Sequence, residues 1–159
     1  MKKADSHARY DFSEQVGHLL RRTYQRHTAL FQRFIPDSQL TAAQFVVLCA
    51  LRDHAGSSMA DIVKVTVIDQ ATIRGVIDRL KSRKLLQVDP DPTDGRKVVL
   101  SLTTAGAQLV AETVPAAQTI TEQTFGPLNA AERVALLFLL RKMLSDVDIE
   151  SPKTDDRRP

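Results

Sequence analysis

The sequence predicts a mainly α-helical fold of six helices, interrupted by one two-stranded β-hairpin. Three observations carry that reading. Apolar residues recur at three- and four-residue steps through most of the chain, which is helical spacing. Thr41, Ser58, Thr103 and Asn129, all side chains able to cap a helix, stand just ahead of such stretches. Only residues 85–103 break the helical period, and there strand-forming residues flank a tip with two prolines and the pair Asp94-Gly95.

The first helix is expected over residues 11–35, where Val16, Leu19, Leu20, Thr23, His27, Leu30, Phe31 and Phe34 form one stripe. Pro36 ends it. At about 1.5 Å per residue it would extend ~37 Å, long for so small a domain, so part of it is expected to pack outside its own core. The capping box of Thr41 with Gln44 opens a second helix, 42–54, closed by Gly56. Ser58 with Asp61 opens a short third helix near 58–65. After the β-branched hinge Thr66-Val67-Ile68, a fourth helix begins near Asp69 and runs to about Arg83. It carries Ile73, Val76, Ile77 and Leu80 on one side and Gln70, Arg74, Asp78 and Lys81 on the other.

Residues 85–89 and 97–103 form the hairpin strands. Pro92 presets the turn, and Asp94-Gly95 tolerates positive φ. Thr103 caps a fifth helix, 104–124, which Gly126-Pro127 breaks; Asn129 with Glu132 starts a sixth, to about Asp146. The polar tail, 151–159, is expected to be disordered. A single domain is therefore expected over 1–150. Within it a short helix, a tight connection, a second helix and a hairpin make a winged helix-turn-helix over about 41–103.

Composition excludes several classes. No stretch approaches the ~18 uninterrupted apolar residues of a membrane span, and the N-terminus lacks the apolar run of a signal peptide, so a cytoplasmic protein is expected. One cysteine, Cys49, excludes an internal disulfide and a cysteine zinc site; on its apolar run it reads as an inert core thiol. Neither a Gly-x-Ser-x-Gly, nor a phosphate-binding glycine loop, nor a His-x-x-x-His pair is present, so no enzyme, cofactor or metal is expected. Charge is uneven. Residues 64–84 hold six cations against two acids, whereas 104–150 hold six acids against three cations. A basic middle points to a polyanion at one face.

The fourth helix has what a major-groove reader needs. Gln70 can pair with adenine and Arg74 with guanine, and the small Ala71 and Gly75 let the backbone approach closely. Thr72, Arg79 and Lys81 extend the polar, basic surface. An ordinary amphipathic surface helix would give the same pattern, and the hairpin decides between the two. Its stiff tip ends in Arg96 and Lys97, a combination suited to phosphate or a narrow minor groove, and Asp94 is placed to hold the Arg96 guanidinium.

The segments "DQATIRGVIDRLKSRKLL" and "DPTDGRKVVLSLTTAG" resemble the MarR family of winged-helix transcriptional regulators. Carrying the resemblance are the Asp-x-Arg wing (Asp94, Arg96), Leu100, Leu102 and Thr103 at the strand end, Gly106, and the step Asp78-Arg79-Leu80. It extends over the helix order from 11 to about 147. Lys84 departs from the family's usual glycine after the recognition helix, and Val88 stands near its usual basic residue. The resemblance implies a homodimer joined through helices at 11–36 and 104–147, binding double-stranded, pseudo-palindromic operator DNA as a repressor. The sixth helix agrees: Val134, Leu136, Leu137, Phe138, Leu139, Leu140, Met143 and Leu144 are apolar nearly all round. The family also commonly senses a small ligand, often an aromatic acid, in a cleft here bordered by the first, second and fifth helices. His18, Arg21 or His27 would supply the polar contact and Phe31 and Phe45 the wall; alternatively His27 is satisfied by a neighbour. The rival reading is a winged-helix protein-interaction or structural module without specific DNA binding.

Overall fold

The computed structural model describes residues 10–145; the expected end of the sixth helix at Asp146 and the tail 151–159 lie outside them. Asp11 accepts the Ser13 N–H and hydroxyl and so opens a 3-10 turn, Phe12–Glu14. Gln15 is extended (φ −69°, ψ 133°), and the first helix, α1, runs Val16–Phe34. The single helix expected from residue 11 is thus two pieces, a capped 3-10 turn and α1, separated where the Gln15 backbone is extended.

The next helices are α2 (Ala42–Asp53), α3 (Met59–Thr66) and α4 (Gln70–Ser82). Capping boxes hold α2 and α3 at Thr41/Gln44 and Ser58/Asp61, and Gly56 takes positive φ (77°) after α2. The β-branched connection between α3 and α4 places Val67 in the left-handed region (φ 55°). Lys84, after α4, is there too (φ 57°), the conformation a glycine would adopt without strain.

Strands β1 (Leu86–Pro90) and β2 (Val98–Leu102) pair antiparallel, with Leu86 opposite Leu102 and Pro90 opposite Val98. Ser57 adds a bridge to Leu100, so the hairpin is tied to the segment before α3. At its base the Thr103 hydroxyl donates to the Lys84 carbonyl at 2.7 Å and accepts the Gly106 N–H at 3.1 Å. A Cβ at Gly106 would lie 1.9 Å from the Leu85 carbonyl oxygen, so only glycine lets α5 (Thr104–Phe125) start this close to the hairpin.

The core of this unit, which ends at Thr124, gathers Leu40, Val47, Leu48, Leu51, Ile62, Ile73, Leu80, Leu86 and Leu100. Each such side chain contributes about 1.5–3 kcal/mol by leaving water. A second unit begins at Phe125 and holds α6 (Ala130–Leu144), opened by the Asn129/Glu132 capping box. No helix among the described residues is long and apolar enough to cross a membrane.

Candidate nucleic-acid interface and ligand cavity

Burial of Ile73, Val76, Ile77 and Leu80 fixes the rotation of α4 about its axis. Gln70, Ala71, Thr72, Arg74, Asp78, Arg79 and Lys81 are then all exposed, and Gln70, Ala71 and Arg74 line one surface depression. Asp69 caps the helix by accepting the Thr72 N–H at 2.9 Å. The hydrogen bonds from Thr72 hold the Asp69 carboxyl below its ordinary range. Among the described residues, no carboxylate engages the side chains of Arg74, Arg79, Lys81 or Arg96. The helix therefore offers unneutralised cations beside hydrogen-bonding groups on a rigid face.

The wing is built differently from expectation. Asp91, not among the expected wing residues, organises the tip: its carboxylate accepts from the Thr93 N–H and hydroxyl and the Asp94 N–H. These bonds, led by that from the Thr93 side chain, hold its carboxyl below the ordinary range. Asp94 does not hold the Arg96 guanidinium. Its carboxylate accepts the Arg96 backbone N–H at 3.1 Å and lies 3.6 Å from Lys97 Nζ. Nor does Gly95 take positive φ; the turn closes through the Lys97 N–H donating to the Asp94 carbonyl. The Arg96 side chain is left exposed to solvent on a backbone held beneath it.

A cavity of about 180 Å³ lies among α1, α2 and α5. His27, Phe31 and Phe45 line it, with Ala42, Val46, Ala117, Ile120 and Thr121. Phe31 and Phe45 sit with ring centroids 6.0 Å apart. His27 Nδ1 lies 2.9 Å from the Thr124 hydroxyl, which itself donates to the Ile120 carbonyl. Thr124 thus links the His27 ring to the Ile120 carbonyl, and the ring's Nε2 takes no part in that link. His18 instead meets Phe12 edge-on at 5.3 Å, and Arg21 is exposed; neither lines this cavity. The fifth helix borders the cavity as expected, and its lining residues Ala117, Ile120 and Thr121, apolar or small, are ones the sequence did not single out. Cys49 is half-buried, and burial raises its thiol pKa, so the unreactive protonated form is favoured.

A model of the MarR family matches residues 38–97, which span α2 to the wing. The chain is 59% identical over 135 residues to the HTH-type transcriptional repressor NicR of Pseudomonas putida, covering 85% of each. The chain belongs to the MarR family. It is a winged helix-turn-helix, DNA-binding transcriptional repressor. Among solved structures, it is similar to Bordetella bronchiseptica BpsR, described in terms of its regulation by 6-hydroxynicotinic acid (TM-score 0.82, 68% identity, 87% of this chain and 99% of that one). A cysteine-to-serine mutant of Escherichia coli MarR, in complex with operator DNA, matches at TM-score 0.77 and 29% identity, over 85% of this chain and 99% of that one. A polar, exposed helix face, a wing ending in Arg96 and Lys97 and a lined cavity thus stand together in this chain.

Proposed function

We propose that the protein is a homodimeric repressor that leaves its operator when a small aromatic carboxylate of the 6-hydroxynicotinic acid class enters the α1–α2–α5 cavity. The observation that carries this reading is the 68% identity with BpsR, whose DNA binding is regulated by that acid. The cavity's chemistry supports it. Two phenyl rings face a histidine whose free ring nitrogen can meet a ring hydroxyl or, once protonated, a carboxylate. At about 180 Å³ it falls below the roughly 300–1,000 Å³ of drug-sized pockets, a fit for a single ring.

On DNA, Gln70, Ala71, Thr72 and Arg74 face base edges in the major groove, Arg79 and Lys81 meet phosphate, and Arg96 enters the minor groove with Asp94 and Lys97 shaping its base. The two copies join through α1 and α6. In the single chain α6 exposes Val134, Phe138, Leu139, Met143 and Leu144, and α1 exposes Val16, Leu19, Leu20 and Tyr24. The test is fluorescence anisotropy with the chain's own promoter fragment, titrated with 6-hydroxynicotinic acid. Specific binding that weakens steeply between ~50 and ~200 mM salt and is reversed by the acid is expected. Equal affinity for random DNA, or indifference to the acid, would overturn the reading.

A further inference from the structure

The recognition helix is held at its far end by a side chain that reaches back to the corner after α1, the helix that lines the cavity. After Ser82 the Arg83 N–H closes on the Arg79 carbonyl, and Lys84 turns the chain in the left-handed region. From there Arg83 Nη2 donates to Asp37 Oδ2, 46 residues earlier in sequence. Asp37 lies in the corner between α1 and α2, directly after Pro36. Its other carboxylate oxygen accepts the Gln39 N–H at 2.9 Å, and its carbonyl accepts the Leu40 N–H at 2.9 Å. The corner thus fixes the carboxylate from its own side. Buried Ile35 and Leu40 anchor that corner, and one turn back along α1 stands Phe31, a wall of the cavity.

This pair is poorly made for stability. Both side chains are sheltered, at 27% and 22% exposure, so each loses hydration. Arg83 uses one arm of its fork on Asp37, while Nη1 is buried without a hydrogen-bond partner. Burial raises the Asp37 carboxyl, and the bonds from Arg83 and Gln39 more than offset it, leaving the group below its ordinary range. What the contact does well is join the α1–α2 corner, one turn beyond the cavity's Phe31 wall, to the C-terminal end of α4.

We propose that the Asp37–Arg83 ion pair couples the cavity to the reading head, with both as positioning residues. A ligand that shifts Phe31 and the α1–α2 corner then shifts the end of α4 through this link. The proposal rests on the ligand-released repressor reading above. Because coupling is a free energy between sites, removing the link lowers ligand-driven release without touching either site.

The experiment uses the full chain, an operator fragment and 6-hydroxynicotinic acid, with Asp37→Asn, Arg83→Gln and Arg83→Lys. Three quantities are read: operator affinity without the acid, affinity for the acid by calorimetry, and the fold loss of operator affinity at saturating acid. A parent loss on the order of tenfold or more should fall below about threefold in Asp37→Asn and Arg83→Gln. The acid should still bind within about twofold of the parent, and Arg83→Lys, which keeps the charge, should retain most of the response. Asp37→Asn decides the matter, since an acid makes no favourable phosphate contact whereas an arginine does. An undiminished response in Asp37→Asn, or a response lost only in step with affinity for the acid, overturns the coupling. A parent that binds operator and ignores the acid overturns the proposed function instead.

Discussion

Helices α4 and α6 are similar in length and opposite in design. In α4 every buried residue is apolar and on one side, so the chain itself supplies the cover, and the polar face is free to meet something else. In α6 the apolar residues surround the axis and none is buried, although Val134, Phe138, Leu139 and Met143 would each gain by leaving water. An amphipathic helix is completed by its own fold, whereas an all-round apolar one is completed only by a second surface. The comparison separates the two functions proposed for one chain: recognition of a polyanion by α4, and self-association by α6.

The largest effect should come from spoiling the α6 surface. Leu137→Glu with Phe138→Glu would bring unpaired charges into the proposed interface, each costing several kcal/mol. Sedimentation should then show a monomer at micromolar concentration, with operator affinity lost by more than about a hundredfold. A dimer of undiminished strength would remove α6 from the interface and erase the contrast. Next, Leu80→Ala in α4 should lower unfolding stability by about 2–5 kcal/mol, because its fully buried side chain leaves a cavity. Leu139→Ala in α6 should instead lower the melting temperature most at low protein concentration, where the weakened dimer comes apart; equal losses in both at every concentration would break the comparison.

Smaller changes are expected within the DNA-contacting set. Arg74→Ala should cost about 1–3 kcal/mol and relax preference at one operator position, while Arg96→Ala should weaken all sites and reduce the salt slope by about one. Parent-like binding by both variants would refute the placement of α4 and the wing. The smallest effect concerns pH. The carboxyl of Asp69, capping α4, is depressed in the folded chain, so the unfolded chain binds the proton more readily. Its stabilisation is therefore present above the unfolded pKa of about 3.9 and is lost as pH falls below it through the folded value. Asn129, the cap of α6, does not titrate. Asp69→Asn should preserve the cap and flatten the fall of the melting midpoint below about pH 4; an unchanged fall would mean other acids carry it.

Much of the fold was legible because the signals are local. The boxes at Thr41, Ser58 and Asn129 act within three residues, so sequence spacing is their geometry. The apolar faces of α2 and α4 followed from the helical period, and the hairpin from its turn residues. The break at Gln15 was hidden because Phe12 continues the apolar spacing across it. At the wing, Asp91 and Asp94 are both turn formers two or three residues from their partners, and composition alone does not rank such competing bonds.

The sequence by itself determined which segments become helix or strand, and which face of α4 is turned inward and which outward. Each of these depends on neighbours within a turn or two. Only the tertiary structure decided that His27 meets Thr124, that Ala117, Ile120 and Thr121 are the α5 residues at the cavity, and that Arg83 finds Asp37. Those contacts join residues 46 to 97 positions apart, brought together by packing of the shared core, and no local period encodes which distant side chain will arrive.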